Sequence, residues 1–431
     1  MEQLLEQDLA APGGAGGASF LKAPREWLLK QKLSRGFWVF FTVAFFFDFG
    51  FAVYFFLFNL YLLDFHFNER VIGLVGGALT LGSVVGTLPA GWLARQTELR
   101  PLLAICLSVA PLVGVARALV MIEWAQIGLA FLAGLSMCFW GVCFLPALAR
   151  LTTEENRASA FSLIFSVSIG TSALGSIVCG YLPHWLRAAG FVLQPAEVKR
   201  MILIVSCAIV TVGLLPLLRL RIPRAESEPR AEDQAVRKQR RISPFLLRFL
   251  PSMALWTAAV AAFTPFASVY MSKNLHISMA QIGLVFSASQ IVQLCVGLLT
   301  PIAFRRLGLV NGIVATQVAT AAAIGFLAGT QNRGLAIALF LSFSATQWMS
   351  SPGLYNLLMS KVTDEERSSA AAMTLFSNAV LQSCATAGAG ILFAQFGYPR
   401  VLAGIAVLAL AAALLFQMLV ARKDSGEPHC Q

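Results

Sequence analysis

The chain has 431 residues, 58% of them hydrophobic and only 12% charged, with a formal net charge of +11. An ordinary soluble domain carries about 25% charged residues, so a string of soluble domains is excluded. The basic balance (pI near 9.6) comes from Lys and Arg clustered between apolar runs, which reads as membrane topology and contact with anionic head groups rather than a nucleic-acid surface.

Residues 1–35 form a polar lead. The stretch "MEQLLEQDLAAPGGAGGA" lacks the basic start and apolar core of a cleavable signal. "FLKAPREWLLKQKL", Phe20 to Leu33, reads either as an amphipathic interfacial helix or as a basic lead-in to the first span. Apolar runs of about 20 residues, enough to cross a bilayer, then predict spans near 36–63, 71–94, 101–122, 125–148, 158–182, 200–219, 246–272, 280–304, 309–330, 335–358, 369–393 and 399–420. The runs are continuous rather than alternating, which excludes a β-barrel. Their Gly, Ala and Ser content suits close helix packing in lipid. The expected fold is an all-α membrane protein of twelve transmembrane helices in two six-helix bundles, 36–219 and 246–420. A basic linker, 220–245, joins the bundles, and 421–431 is a tail.

With the N-terminus on the cytoplasmic side, cytoplasmic segments hold 24 of the 32 Lys and Arg and the other face holds seven, Arg117 being the remaining one. That bias predicts both termini on the cytoplasmic side of a multi-pass protein of the plasma (inner) membrane. Nine of the 24 lie in the linker between Arg219 and Arg248, around "RKQRR". Seven of the eight cysteines fall inside spans, and Cys430 stands alone in the tail. Without a C-x-x-C pair, neither a disulfide framework nor a metal centre is indicated, and no cofactor is expected.

An internal repeat organises the chain. "HFNERVIGLV" from His66 matches "HISMAQIGLV" from His276, an offset of 210, and "TTEENRASA" from Thr152 matches "VTDEERSSA" from Val362 with Thr153 over Thr363 and Arg157 over Arg367. Arg95 likewise falls on Arg305. Six spans, a basic linker and six more related spans form the architecture of a secondary transporter with its site between the halves. The chain resembles the major facilitator superfamily over about residues 36–420. The family's loop between spans two and three usually reads Gly-x-x-x-Asp-Arg-x-Gly-Arg-Arg; here it is "GWLARQTELR". Gly91 and Arg100 fit, Arg95 stands in place of the Asp, Gln96 of the Arg and Glu98 of the Gly. The second copy, "PIAFRRLGLV", keeps Arg306 and Gly308 but has Arg305 in place of the acid. The fourth-span Arg motif and the fifth-span Gly-Pro antiporter motif are absent. By resemblance these loops, with Glu154 and Arg157 and their echo Asp364, Glu365 and Arg367, form a charge network at the cytoplasmic mouth. The acids equally suit a helix N-terminus.

Charges at membrane depth are few: Asp48 in the first span, Arg117 toward the outer end of the third, and Glu123 at a boundary. Intramembrane charges are costly and mark functional or paired residues. Arg117 is expected to snorkel to the outer interface. Asp48 has no cation at helical spacing, and the 210 offset gives Ala258 as its counterpart. Desolvation penalises its charged form, so it can exchange a proton, or pair with a cationic solute, as a cavity opens to each side. The resemblance makes spans one, four, seven and ten cavity-lining. Their mid-depth residues are Phe45, Phe55, Asn59, Trp140, Trp256, Thr264, Gln347, Trp348 and Asn356, and spans eight and eleven add Gln290, Gln293, Asn378 and Gln382. An aromatic, amide-rich lining with one acid favours a neutral, cationic or amphipathic organic solute over a polyanion, which needs convergent Arg and Lys. Each Trp equally suits core or lipid-facing packing.

The expected function is alternating-access transport of a small organic solute by a monomer, as proton-coupled efflux of an amphipathic or cationic compound. The alternative is proton-coupled uptake of a nutrient or metabolite. An enzyme has no nucleophile–base or metal constellation to build on in the spans, and a receptor or pore has no need of two related halves.

Overall fold

The computed structural model describes residues 33–190, 194–223, 244–362 and 364–421. The stretch before Leu33, the linker around Arg237–Arg241 and the tail after 421 lie outside the described residues, as do the side chains of Asp364, Glu365 and Arg367. The described residues are helical, and they contain no strand. The N-terminal half runs through α1 (Arg35–Asp64), α2 (Glu69–Gln96), α3 (Leu99–Leu119), α4 (Glu123–Arg150), α5 (Glu154–Ala188) and α6 (Pro195–Arg219), the last bending at Gly213. The C-terminal half runs through α7 (Phe245–Lys273), with a 3₁₀ turn at Thr264–Phe266, α8 (Met279–Leu307), α9 (Leu309–Gly329) and α10 (Arg333–Lys361).

The final helical run, Asp364–Phe416, is 53 residues long, about 80 Å if straight and far more than one crossing needs. Gly397 breaks it with φ 73°, a conformation open to glycine. Phe393 packs on Phe266 and Tyr398 on Tyr270, whereas Phe416 lies against Phe249, near the start of α7. The chain therefore reverses at Gly397 into two arms, α11 (364–396) and α12 (398–416). Ten of the described helices have the length and apolar content to cross a membrane. The run that Gly397 divides is one of them. α10 falls outside the ten because Ser, Thr, Gln and Asn dilute its apolar residues.

Local chemistry sets several helix starts. Ser34 accepts the Phe37 N–H and Asn68 the Val71 N–H, each at 3.1 Å, and the Asn332 side chain accepts from Gly334 and Leu335. Such side chains satisfy backbone donors that a helix terminus leaves open.

The repeat is visible atom by atom. His66 and His276 hold the two positive φ angles of non-glycine residues, 62° and 49°, among those described, and each opens the turn into the next helix, α2 or α8. A Cβ at Gly73 of α2 would lie 2.8 Å from both the Thr386 carbonyl oxygen and the Gly390 Cα of α11. A Cβ at Gly283 of α8 would collide with the Ser176 carbonyl of α5 and lie 3.3 Å from the Gly180 Cα. Gly283, Thr386 and Gly390 stand 210 residues from Gly73, Ser176 and Gly180 respectively. The two seams joining the halves, α2 with α11 and α5 with α8, are thus equivalent. Both need bare backbone for helices to approach this closely. Gly73→Val and Gly283→Val are each expected to cost about 1–3 kcal/mol by overpacking, read as a lower denaturation midpoint. Gly128→Val, where a Cβ meets nothing, is the matched control.

The seams also fix the shape. On one face (the histidine face) the Ser383 hydroxyl donates to the Gly77 carbonyl at 2.7 Å, Phe56 packs on Phe286, and Lys273 pairs with Glu69. Toward the opposite, basic face the same helix faces separate. Three turns beyond Gly77, Leu88 is 71% exposed, and two turns before Ser383, Phe376 is 54% exposed. On the other seam Phe165 and Leu294, each three turns from the contact, are 50% and 38% exposed. The halves enclose a cleft that is closed at the histidine face and open toward the basic one.

Candidate functional site: the cleft between the halves

Asp48 lies on a stripe of α1 that runs Asp48, Ala52, Phe55, Asn59 at helical spacing. At its upper end the Asn59 amide donates to the Pro265 carbonyl of α7 at 2.8 Å. Pro265 sits in the 3₁₀ turn that interrupts α7, where a proline's missing N–H loosens the helical ladder. Below this crossing Phe55 is exposed, with its ring stacked on Phe51 at 5.7 Å. Asp48 is half-buried two turns further down, and the Ser168 hydroxyl of α5 faces its carboxyl. No salt bridge reaches Asp48 among the described residues. The stripe thus lines the cleft below its closed end.

The opposite wall carries the equivalent stripe, in a register the sequence repeat does not show. The buried positions Phe37, Phe40, Ala44, Phe47, Tyr54, Leu57 and Tyr61 of α1 recur in α7 as Leu246, Phe249, Met253, Trp256, Phe263, Phe266 and Tyr270, 209 residues on rather than 210. The Tyr61 hydroxyl donates to Ala118 O and the Tyr270 hydroxyl to Leu327 O, again 209 apart. The turn after α7 absorbs the difference: the Phe67 N–H bonds Leu62 O, whereas the Ile277 N–H reaches one residue further back, to Met271 O. The counterpart of Asp48 is therefore Thr257 and not Ala258. Its hydroxyl donates to Asn378 Oδ1 at 3.2 Å, and Asn378 stands 210 residues after Ser168. Asp48 and Ser168 on the N-terminal wall thus stand at positions equivalent to Thr257 and Asn378 on the C-terminal one.

The remaining sequence-derived residues fall into four groups. Phe45, stacked on Phe49, and Trp348, whose indole nitrogen lies 3.7 Å from where a Gly297 Cβ would sit, are exposed. Gln290 is half-buried on the seam face of α8, the Gln293 amide donates to the Ser344 hydroxyl at 2.7 Å, and Gln347 is half-buried on α10. Thr264 and Gln382 are exposed, and Asn356 lines a cavity of about 370 Å³ with Thr300 and Arg305 toward the basic face. Trp140 and Trp256 are packed inside their own halves. Trp140 stacks between Phe47, at 3.9 Å, and Phe40, at 6.1 Å.

At the basic face Gly91 meets open space, and Arg95, Glu98, Arg305 and Arg306 are exposed. Arg100 donates to the Leu218 carbonyl, tying the start of α3 to the end of α6. Glu154 and Glu155 occupy the first turn of α5, and Arg157 is exposed one turn on. The Asn156 side chain accepts the Thr153 N–H at 2.9 Å.

Arg117 does not snorkel. It is 3% exposed, with its guanidinium 4.0 Å from the centroid of the Phe58 ring inside the N-terminal half. Its position near the end of α3 suggested the interface, but α1 and α6 cover it. Sequence reading also missed two charge pairs. Asp64 bonds Lys199 at 2.8 Å within the N-terminal half, and Glu69 bonds Lys273 at 2.7 Å between the halves. The Tyr398 phenol of α12 also faces Glu69.

Among solved structures, the fold is similar to that of the nucleoside transporter NupG (D323A mutant), with a TM-score of 0.75, 15% identity, and 90% of this chain and 100% of that one covered. A D-xylose-proton symporter aligns with a TM-score of 0.71, 14% identity and 89% and 97% coverage. A bacterial homologue of the human lysosomal transporter Spinster, inward-facing and occupied, aligns with a TM-score of 0.70, 12% identity and 94% and 99% coverage. No curated protein sequence matches the chain. The family model described as Major Facilitator Superfamily matches residues 40–386, and the chain belongs to that family.

Proposed function

We propose that this transporter exchanges protons for an aromatic or cationic organic solute, with the basic face cytoplasmic and export as the direction. The observation that carries the reading is Asp48: a half-buried carboxyl on an aromatic stripe of the cleft, with a hydroxyl beside it and no salt bridge to it among the described residues. A carboxyl so placed suits binding a proton and a cation in turn, because occupancy by one removes the charge that attracts the other. Alternation needs the halves to part at the histidine face and meet at the basic face, and the paired glycine seams provide equivalent contacts on both sides of the cleft.

Uptake of a polar metabolite is the second reading. It is favoured by the C-terminal wall, where Thr257, Asn378, Gln290 and Gln293 present hydroxyl and amide groups. Proteoliposomes with an imposed pH gradient separate the two. Whatever the orientation of the inserted protein, an antiporter concentrates solute in the acidic compartment and a symporter in the alkaline one. A permanent cation such as (3-phenylpropyl)trimethylammonium avoids the passive trapping of weak bases, and its accumulation on the acidic side is the expected result. A flux indifferent to the gradient refutes proton coupling.

A further inference from the structure

The register of α7 changes what the cleft can recognise. With the repeat offset alone, the counterpart of Asp48 is an alanine, Ala258. With the offset of 209 that burial and hydrogen bonding establish, Thr257 is the counterpart of Asp48, and each is joined by a polar residue from the seam helix of its own half, Ser168 or Asn378. The depths agree. Asp48 lies 11 residues below Asn59 and Thr257 eight below Pro265, about 16 Å and 12 Å at helical rise, so both sit well below the closed end. The stripes match too: Thr257, Ala261, Thr264 and Ser268 repeat the spacing of Asp48, Ala52, Phe55 and Asn59, and Thr264 is exposed as Phe55 is.

We infer that the cleft is a two-pole site for an organic cation that also carries a neutral hydrogen-bonding group. The cationic centre lies at Asp48 and the neutral group, a hydroxyl or carboxamide, at Thr257 and Asn378. The inference rests on the reading of Asp48 as the cation pole and adds to it a specificity pair. Chemistry sets the polarity of the poles. Asp48 offers only acceptors when ionised, whereas a hydroxyl and a carboxamide together both donate and accept, which suits a neutral group and gives an anion no charge to pair with. The exposed Phe55 ring lies on the Asp48 stripe on the closed side of the carboxyl, where an aromatic body can pack. Ser168 acts as a positioning residue that holds the Asp48 carboxyl toward the cleft.

The experiment compares two permanent cations, (3-phenylpropyl)trimethylammonium and the same molecule bearing a para-carboxamide, by equilibrium binding to the purified full-length protein. The carboxamide is expected to bind about tenfold more tightly, the scale on which a polar site rejects a ligand that leaves its groups unpaired. Thr257→Val is expected to reduce that ratio to about one, and Thr257→Ser, which keeps the hydroxyl, to restore it. Asn378→Leu should act as Thr257→Val does. A ratio unmoved by Thr257→Val, with plain-cation binding still lost in Asp48→Asn, overturns the two-pole site and leaves the cation reading standing. If neither cation binds the unaltered protein, both fall.

Discussion

Asp48→Asn is expected to abolish pH-driven accumulation of a permanent cation and to weaken its binding by about thirtyfold, the equivalent of about 2 kcal/mol, near the low end for losing a charge from a desolvated pair. The side chain keeps its shape and can still accept from Ser168, so folding and membrane insertion should be unaffected. The sign with pH follows from competition at one carboxyl. In the unaltered protein cation affinity falls as pH falls, because protonation removes the charge the solute needs. In the Asn variant that dependence disappears. Quantitative binding from pH 5 to 8 reads both effects. A variant that still drives pH-dependent accumulation at full rate makes the carboxylate structural.

The second large effect concerns closure of the histidine face. Glu69 and Lys273 make the one salt bridge between the halves among the described residues, at 2.7 Å. The pseudo-symmetric positions do not repeat it. Met279 stands at the position of Glu69, and Asp64, equivalent to Lys273 in the α7 register, pairs with Lys199 inside its own half. Among the described residues, one side of the closed face is therefore held by a salt bridge and the other by packing. The Glu69 side chain is 9% exposed and that of Lys273 45%, so solvent screening limits the pair to about 1 kcal/mol. Losing that much shifts a two-state equilibrium about fivefold.

Glu69→Gln should accordingly favour the state open at the histidine face, in which the basic face closes. Cysteines at Leu88 and Phe376, in a background without native cysteines, report this directly. Their cross-linking should rise about fivefold in Glu69→Gln and return to the starting level in the swapped pair Glu69→Lys with Lys273→Glu. Unchanged cross-linking in both would mean that the salt bridge does not hold the closed face.

Much of the fold is legible in the sequence, because the bilayer imposes a length on every apolar run and the repeat fixes the order of the halves. His66 and His276 fell at equivalent turns as the offset required. What the sequence could not show was a one-residue change of register inside a repeat. No gap in the matched segments marks it, because the extra residue is taken up in the turn after α7. Carried into α7, the offset of 210 pairs Asp48 with Ala258 instead of Thr257. Helical faces were the second limit. Trp140 and Trp256 sit at cavity depth, but only their neighbours decide that they point into the core. Arg117 shows the same limit in reverse, since nothing along α3 announces the Phe58 ring that receives it. The Glu69–Lys273 pair spans 204 residues, beyond the reach of any local pattern.

The central claim, that one carboxyl serves proton and solute in turn, is tested most directly by counting protons. When (3-phenylpropyl)trimethylammonium saturates the purified protein in weakly buffered solution, at a pH where the free protein holds the proton on Asp48, about one proton should be released per molecule bound, and none from Asp48→Asn. Binding to the unaltered protein without proton release at any pH between 5 and 8, or equal release from the variant, would contradict the account.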